Sequence, residues 1–187
     1  MHVEGVPNPH ARRFVLENGL LVDEPYEFLS YKEADLSPLA KKLLMLRYVD
    51  RVLLNRNFIT ILKNPKQSPP WEEITQNLMA LIQEHLEQNE PILFVGANPA
   101  RHQNHPDPLL AVIRNVFDQR IRPAAQEDGG DILIESFENG VLNVSMHGSC
   151  HTCPYAAQTI KDGVEALLKH ISPEVLSVVA LQNNVLK

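Results

Sequence analysis

The sequence is divided by one stretch in which the apolar periodicity disappears. From Pro91 to Pro108 it reads PILFVGANPARHQNHPDP, and after the first few residues proline, asparagine, histidine and glycine predominate. Such residues favour turns and linkers over helices and strands. Each flanking part is long enough to fold around a core of its own. We therefore predict two small domains, at residues 1–94 and 109–187, joined by a polar, proline-containing linker at residues 95–108.

The first part contains runs that favour strands and helices in turn. RFVLENGLLVDEP and YEFLSYKEA have strand character, although ENG followed by LLV is also compatible with a hairpin. Ser37-Pro38 offers an N-cap and a proline at the first helical position, and apolar residues follow at helical spacing. VDRVLLNRNFITILKN predicts a strand pair around NRN, and SPPWEEITQNLMALIQEHLEQ predicts a second helix. This order predicts a small α+β layer.

The second part predicts a helix, a hairpin, another helix and a final strand. The first helix runs from Leu109 to Ile121 and is expected to stop at Pro123, before the turn EDGGD. An Asn-Gly pair between ILIESF and VLNVSM is a strong hairpin signal. The second helix is expected to start at Pro154, and EVLSVVAL reads as the strand that follows it. Both parts therefore belong to the α+β fold class.

Both cysteines of the chain, Cys150 and Cys153, lie in the stretch HGSCHTCPY. They stand where a strand gives way to a helix, so that unpaired backbone N–H groups and the positive end of the helix dipole face the sulfurs. We therefore expect thiolates to be favoured there. The residues alone leave three interpretations open, namely metal or cluster binding, thiol-disulfide exchange, and plain packing of two small apolar side chains.

Metal or cluster binding by this pair implies a second copy of the chain. Tetrahedral zinc takes four ligands, and a 4Fe-4S cluster takes one for each of its irons. Two chains related by a twofold axis supply four sulfurs. Zinc in place of a cluster would make the protein a zinc-stapled interaction module. His147 and His151 are candidate additional ligands, whereas Asp128 and Asp131 are interpreted as turn formers.

Composition and charge exclude several other functions. The formal net charge is -6 and is spread over both parts, so no basic face is expected and nucleic acid is not a predicted partner. No segment approaches the ~20 apolar residues that span a membrane. No phosphate loop, nucleophile elbow or His-Glu-x-x-His motif occurs, and we predict that the protein is not an enzyme.

The cysteine count and the first residues bear on the compartment. Two cysteines this close together cannot build the disulfide framework of a secreted fold, because the loop that they would close is too short. A reducing compartment is therefore favoured. MHVEGVPNPHARRF lacks the apolar core of a secretory signal and the acid-free, arginine- and serine-rich character of a transit peptide. We expect a cytoplasmic protein.

The second part also resembles a known family. DGGDILIESFENGVLNVSMHGSCHTCPYAAQTIKDGVEALLKHISPEVLSVVAL is similar to the C-terminal domain of the NifU and Nfu iron-sulfur proteins. VPNPHARRF, SPLAKKLLMLRYVDRVLLNRNFITILK and the tryptophan-led helix resemble the N-terminal domain of the Nfu branch. Two departures stand out: Tyr155 occupies a position where the family usually has a small residue, and NRN replaces a glycine-containing turn.

The resemblance implies a function as an iron-sulfur cluster scaffold and carrier. Cys150 and Cys153 then correspond to the cluster-ligating cysteines, and two chains share one 4Fe-4S cluster, with 2Fe-2S as the other possible cargo. The implied partners are a second copy of the chain, recipient apo iron-sulfur proteins and upstream cluster assembly machinery. The N-terminal domain, which has no cysteine, would recognise recipients or donors.

Overall fold

A computed structural model of the chain describes residues 1–17, 22–66, 68–94, 108–153 and 158–181. The chain forms two compact units, Met1–Pro99 and Ala100–Lys187. The predicted linker, apart from its last residue, lies outside the described residues, and so do residues 18–21 of the alternative ENG–LLV hairpin. Both units combine helices with a sheet, which confirms the α+β fold class.

The first unit is built on an antiparallel sheet. Among the described residues the strands are β1 (His2–Gly5), β2 (Ala11–Val15), β3 (Tyr26–Phe28), β4 (Val49–Leu54) and β5 (Phe58–Lys63). They pair in the order β1-β2-β5-β4-β3. The predicted pair around NRN is the β4–β5 hairpin, in which Leu54 lies opposite Ile59. The first strand was not predicted from the sequence.

Two α-helices, α1 (Pro38–Leu44) and α2 (Trp71–Glu87), pack their apolar residues with those of the sheet in the first core. The predicted N-cap is confirmed, since the Ala40 N–H donates to Ser37 Oγ at 3.1 Å. The same hydroxyl donates to the Ile92 carbonyl at 2.6 Å. It therefore also ties the chain beyond α2 back to the start of α1.

His85 lies at the end of α2 and is fully buried. Its Nδ1 is 3.4 Å from Glu90 Oε2, and the other oxygen of that carboxylate accepts from Lys42 Nζ at 2.6 Å. Burial lowers the pKa of His85, and the Lys42 charge lowers it further against the opposing effects of Glu90 and the Pro91 backbone. Folding therefore favours the neutral form of this imidazole relative to the unfolded chain.

We expect the first unit to lose stability as the pH falls below about 6.5, the value of an unperturbed histidine. Below this pH, unfolded chains bind a proton at His85 that folded chains do not. The free energy of unfolding therefore falls until the pH reaches the lowered pKa of the folded unit. The slope cannot exceed about 1.4 kcal/mol per pH unit. Urea unfolding followed by the fluorescence of Trp71 between pH 7 and pH 5 measures it. His85→Leu should flatten this dependence, whereas His10→Gln, at an exposed histidine, should retain it. An unchanged slope in His85→Leu would assign the dependence to other groups.

The second unit combines a smaller sheet with helices that share one apolar core with it. Its described strands are β6 (Gly130–Glu138), β7 (Val141–Gly148) and β8 (Ser177–Leu181). β6 and β7 form the predicted hairpin, and Asn139 and Gly140 have the positive φ angles of 51° and 78° that such a two-residue turn requires. β8 pairs in parallel with β7. A parallel pair needs a crossover connection, and this crossover begins with the two cysteines.

The sequence predicted that the first helix of this unit stops at Pro123, but the helix continues past this proline. α3 (Pro108–Val116) continues through a π-helical turn (Phe117–Ile121) into α4 (Arg122–Glu127), which contains the proline. A proline lacks an N–H and crowds the carbonyl four residues before it, and a wider turn relieves that conflict. The prediction failed because it treated the proline as a stop.

The crossover ends in a π-helical turn (Thr159–Glu165) followed by α5 (Ala166–Ile171). The predicted start of this helix at Pro154 lies outside the described residues. Apolar side chains of α3 to α5 and of the strands form a second core, which includes Phe117, Leu142, Val144 and Leu168. No helix among the described residues is long and apolar enough to cross a membrane.

Candidate metal centre

The cysteines follow directly on the end of β7. Gly148 has φ 61° and ψ -134°, a conformation open in practice only to glycine, and it turns the chain out of the sheet. A 3-10 turn (Ser149–Thr152) then carries Cys150, and the Cys153 N–H donates to the Cys150 carbonyl at 3.4 Å. The two thiols therefore lie on one short turn at the carboxyl end of a strand, and neither forms a disulfide.

Two hydrogen bonds fasten this turn to the first half of the Asp-Gly-Gly-Asp segment, which leads into β6. The Ser149 N–H donates to the Gly129 carbonyl at 3.2 Å, and the Ser149 hydroxyl donates to the Asp128 carbonyl. Gly129 has φ 75°, as expected for this turn. The position of Cys150 thus depends on a segment about twenty residues earlier in the sequence, through hydrogen bonds that order both loops.

Gly130 leaves room for the Cys150 side chain. A Cβ on Gly130 would lie 2.3 Å from Cys150 Sγ and 2.8 Å from the His147 carbonyl oxygen, and real atoms do not approach that closely. The φ of Gly130 is not positive, so the requirement at this position is for space. The sequence contained a signal that we missed: the turn needs one glycine, at Gly129, and the segment has two.

Cys150 is half-buried and packs against the second core. Burial, followed by the negative charges of Asp128, Cys153 and Asp131, raises the pKa of Cys150 to about 12. The prediction that thiolates are favoured was therefore wrong for this residue. It considered the helix dipole and left out desolvation, which disfavours a buried anion more strongly.

We had predicted that Asp131 is a turn former. It is instead a fully buried carboxylate in β6. It accepts from Arg122 Nε and Nη2, both at 3.0 Å, and from Gln126 Nε2 at 3.0 Å. The Ile132 N–H also donates to it at 2.8 Å. This bidentate ion pair fixes α4 against the start of β6, immediately beside Gly130.

The other carboxylate of the Asp-Gly-Gly-Asp segment is Asp128, its first residue, which lies at the end of α4. Burial raises its pKa, and the neighbouring charge of Glu127 adds to the effect. Its backbone carbonyl, which accepts from Ser149, fits the predicted part in the turn.

The two candidate histidine ligands differ in placement. His147 is buried in β7, and its Nε2 lies 2.9 Å from Ser145 Oγ. Along the strand these two residues alternate with Val144 and Met146, which pack on the core, so the His147 ring and Cys150 belong to opposite faces of the sheet. His151 is half-buried on the turn between the cysteines. Tyr155 lies outside the described residues.

Two thiols on one turn are the sulfur donors that the described residues offer. No group of three or more His, Cys, Asp or Glu side chains that could hold a metal ion occurs in the described part of the chain. Sulfur donors suit zinc and iron-sulfur clusters, and each of these takes four ligands. One chain provides half of such a set.

Comparison with known proteins identifies two family matches. Residues 1–89 match the family described as scaffold protein Nfu/NifU N terminal, and residues 113–179 match the NifU-like domain. A NifU-like protein of Schizosaccharomyces pombe is 32% identical over 186 residues, covering 94% of this chain and 70% of that protein. The human protein named NFU1 iron-sulfur cluster scaffold homolog, mitochondrial, is 30% identical and is covered to 70% of its length.

A Drosophila willistoni protein with the same name is 36% identical over 185 residues. The comparison covers 95% of this chain but 62% of that protein, so the chain spans about three fifths of the length of that relative. The solution structure of a NifU-like protein from Saccharomyces cerevisiae covers 50% of this chain and 85% of its own, with 18% identity and a TM-score of 0.42. That likeness is too distant to carry an argument.

These names correct one prediction. We expected a cytoplasmic protein, whereas the relatives from Drosophila willistoni and Homo sapiens are named as mitochondrial. The expectation rested on the composition of the first residues, and that composition alone does not decide where a protein works.

Proposed function

The chain belongs to the Nfu family of NifU-like proteins, and on that basis we propose that it is an iron-sulfur cluster scaffold and carrier. In this proposal Cys150 and Cys153 from each of two chains bind one 4Fe-4S cluster, which the complex receives from upstream assembly machinery and delivers to apo iron-sulfur proteins. A 2Fe-2S cluster is the alternative cargo for the same four sulfurs. The protein acts as a carrier and catalyses no reaction of its own.

The observation that carries the proposal is the half-complete donor set. Two thiols lie on one turn, with a carbonyl and an N–H of the turn holding their backbones together. Sharing between two chains completes a four-sulfur site, and separation of the chains removes half of the ligands at once. This arrangement suits a protein that must release what it binds.

The surroundings of Cys150 also favour release. Capture of iron by this sulfur must displace a proton, because burial raises its pKa to about 12. The charges of Asp128 and Asp131 add to the same rise in pKa, so a proton competes more strongly with iron for this sulfur at neutral pH. A high thiol pKa is also unfavourable for Cys150 as the attacking group in disulfide exchange.

Anaerobic reconstitution with ferrous iron and sulfide tests the proposal. We expect about two irons and two sulfides per chain, visible absorption typical of a cluster, and a shift from the apo sedimentation coefficient to that of a dimer. About one iron per chain would instead indicate a 2Fe-2S cargo. Protein alkylated at both cysteines is the control and should bind neither iron nor sulfide.

Two outcomes would contradict the carrier function. A reactive disulfide between Cys150 and Cys153 in protein that takes up no iron would favour thiol-disulfide exchange. Zinc that is retained through purification and resists chelators would favour a zinc-stapled interaction module.

A further inference from the structure

Two cations of the first unit converge on one aromatic ring. Trp71 is the first residue of α2, and its ring centroid lies 5.0 Å from the Arg12 guanidinium carbon and 5.1 Å from Lys63 Nζ. Arg12 belongs to β2 and Lys63 to β5, two strands that pair directly. The distance between the Arg12 guanidinium carbon and Lys63 Nζ therefore cannot exceed the sum of their distances to the ring centroid. Each cation is attracted to the ring, but they repel one another.

No described carboxylate forms an ion pair with either of these cations. Arg12 Nη1 donates to the Ala11 carbonyl at 2.9 Å, and Lys63 Nζ donates to the Pro69 carbonyl at 2.7 Å. An arginine has five N–H donors and a lysine three, so most of their donors are not used in these bonds. The neighbouring residue Arg13 differs, since it pairs with Glu4 at 2.6 Å.

The ring between the cations is held in place, while the cations themselves reach solvent. Trp71 is buried, and its Nε1–H donates to the Pro9 carbonyl at 3.0 Å. Arg12 and Lys63 are both half-buried. Because the ring is held rigidly, it limits the movement of both cationic side chains. The two side chains therefore lose less conformational entropy when an anion binds.

We propose that Arg12 and Lys63, positioned by Trp71, form a binding site for a carboxylate presented by an acidic peptide segment of a partner protein. The planar guanidinium matches a carboxylate with two parallel hydrogen bonds, and the ammonium adds a third donor group. Glu72 and Glu73 in the first turn of α2 are exposed and oppose any anion, so the attraction at this site has to come from the two cations. This site does not depend on the cysteines or on the carrier function.

A peptide fits this site better than a small acid because each single ion pair here is weak. Ion pairs between partly exposed groups are weak, since water and salt screen them. A free carboxylate would therefore bind poorly, whereas a segment with several acidic residues keeps further carboxylates close to the site after the first has bound.

The chain contains a single tryptophan, so Trp71 fluorescence reports on this site directly. The probe is a hexaglutamate peptide, titrated at constant ionic strength, with inorganic phosphate and citrate as separate titrants and calorimetry as a second readout. We expect saturable binding of the peptide to the full chain. Removal of both cations in Arg12→Gln/Lys63→Gln should raise its dissociation constant about tenfold or more.

The matched control is Arg47→Gln/Lys32→Gln, which also removes one arginine and one lysine, both exposed, from the first unit. It should bind the peptide as the unchanged chain does, and circular dichroism verifies the fold of both variants. Equal weakening in the two variants would show non-specific attraction and overturn the site. Tighter binding of phosphate or citrate than of the peptide would overturn the assigned ligand.

Discussion

Alanine at position 130 is expected to displace the Cys150 thiol and to lower the free energy of unfolding of the second unit by about 1–3 kcal/mol. The added Cβ would lie 2.3 Å from Cys150 Sγ and 2.8 Å from the His147 carbonyl oxygen. The sulfur can rotate away, but the carbonyl belongs to the β6–β7 ladder, in which Gly130 pairs with Gly148. Relief therefore requires movement of the backbone at the base of the cysteine turn.

Three measurements check this expectation. Chemical unfolding followed by circular dichroism gives the loss of stability, and timed alkylation with peptide mapping gives the reactivity of Cys150 relative to Cys153. We expect Cys150 to react faster in Gly130→Ala, because a thiol moved out of its half-buried position is better solvated and ionises more easily. Iron retained after reconstitution should fall in parallel.

Gly163→Ala is the matched control in the same unit. Gly163 lies in the helical crossover, and a Cβ there meets nothing within 4 Å. Alanine at an exposed helical position should leave thiol reactivity unchanged and should stabilise by up to about 1 kcal/mol. If Gly130→Ala behaved in the same way as this control, the close approach of Gly130 and Cys150 would not matter for the site.

The elements that the sequence predicted correctly are those whose signals are local. The Asn-Gly turn needs positive φ at both residues, and the Ser37-Pro38 N-cap needs one hydroxyl and one N–H three residues away. Neither depends on the rest of the chain. The strand pair around NRN belongs to the same class.

The predictions that failed required knowledge of distant partners. In the sequence Asp131 looks like a turn residue. In the structure it pairs with Arg122, which lies nine positions earlier on a helix that continues past Pro123. The thiol of Cys150 was expected to ionise because the dipole argument is local, whereas its burial in the second core is not. The sequence shows how the cysteines are spaced, but it does not show how far each thiol is buried. The ionisation of Cys150 depends on that burial and therefore could not be predicted from the sequence.

Cys150→Ser and Cys153→Ser are each expected to abolish stable cluster binding. Each replacement leaves at most one thiolate per chain and two per dimer, and the hydroxyl of serine is a poor ligand for iron in a cluster. Iron and sulfide after anaerobic reconstitution should fall to the level of the alkylated control in both variants. Because Cys150 packs against the second core, Cys150→Ser should also cost some stability, and Cys150→Ala separates that cost from the loss of the ligand.

Disulfide exchange makes a different prediction for the same variants. With a pKa of about 12, Cys150 would be the resolving thiol and Cys153 the attacking one. Cys150→Ser would then retain reactivity and accumulate a mixed disulfide at Cys153, whereas Cys153→Ser would be inert. A shared cluster site requires both sulfurs from both chains, so the two variants should fail alike and trap no mixed disulfide. A variant that still bound two irons per chain with one cysteine missing would overturn the ligand assignment and direct attention to His151, which lies on the same turn.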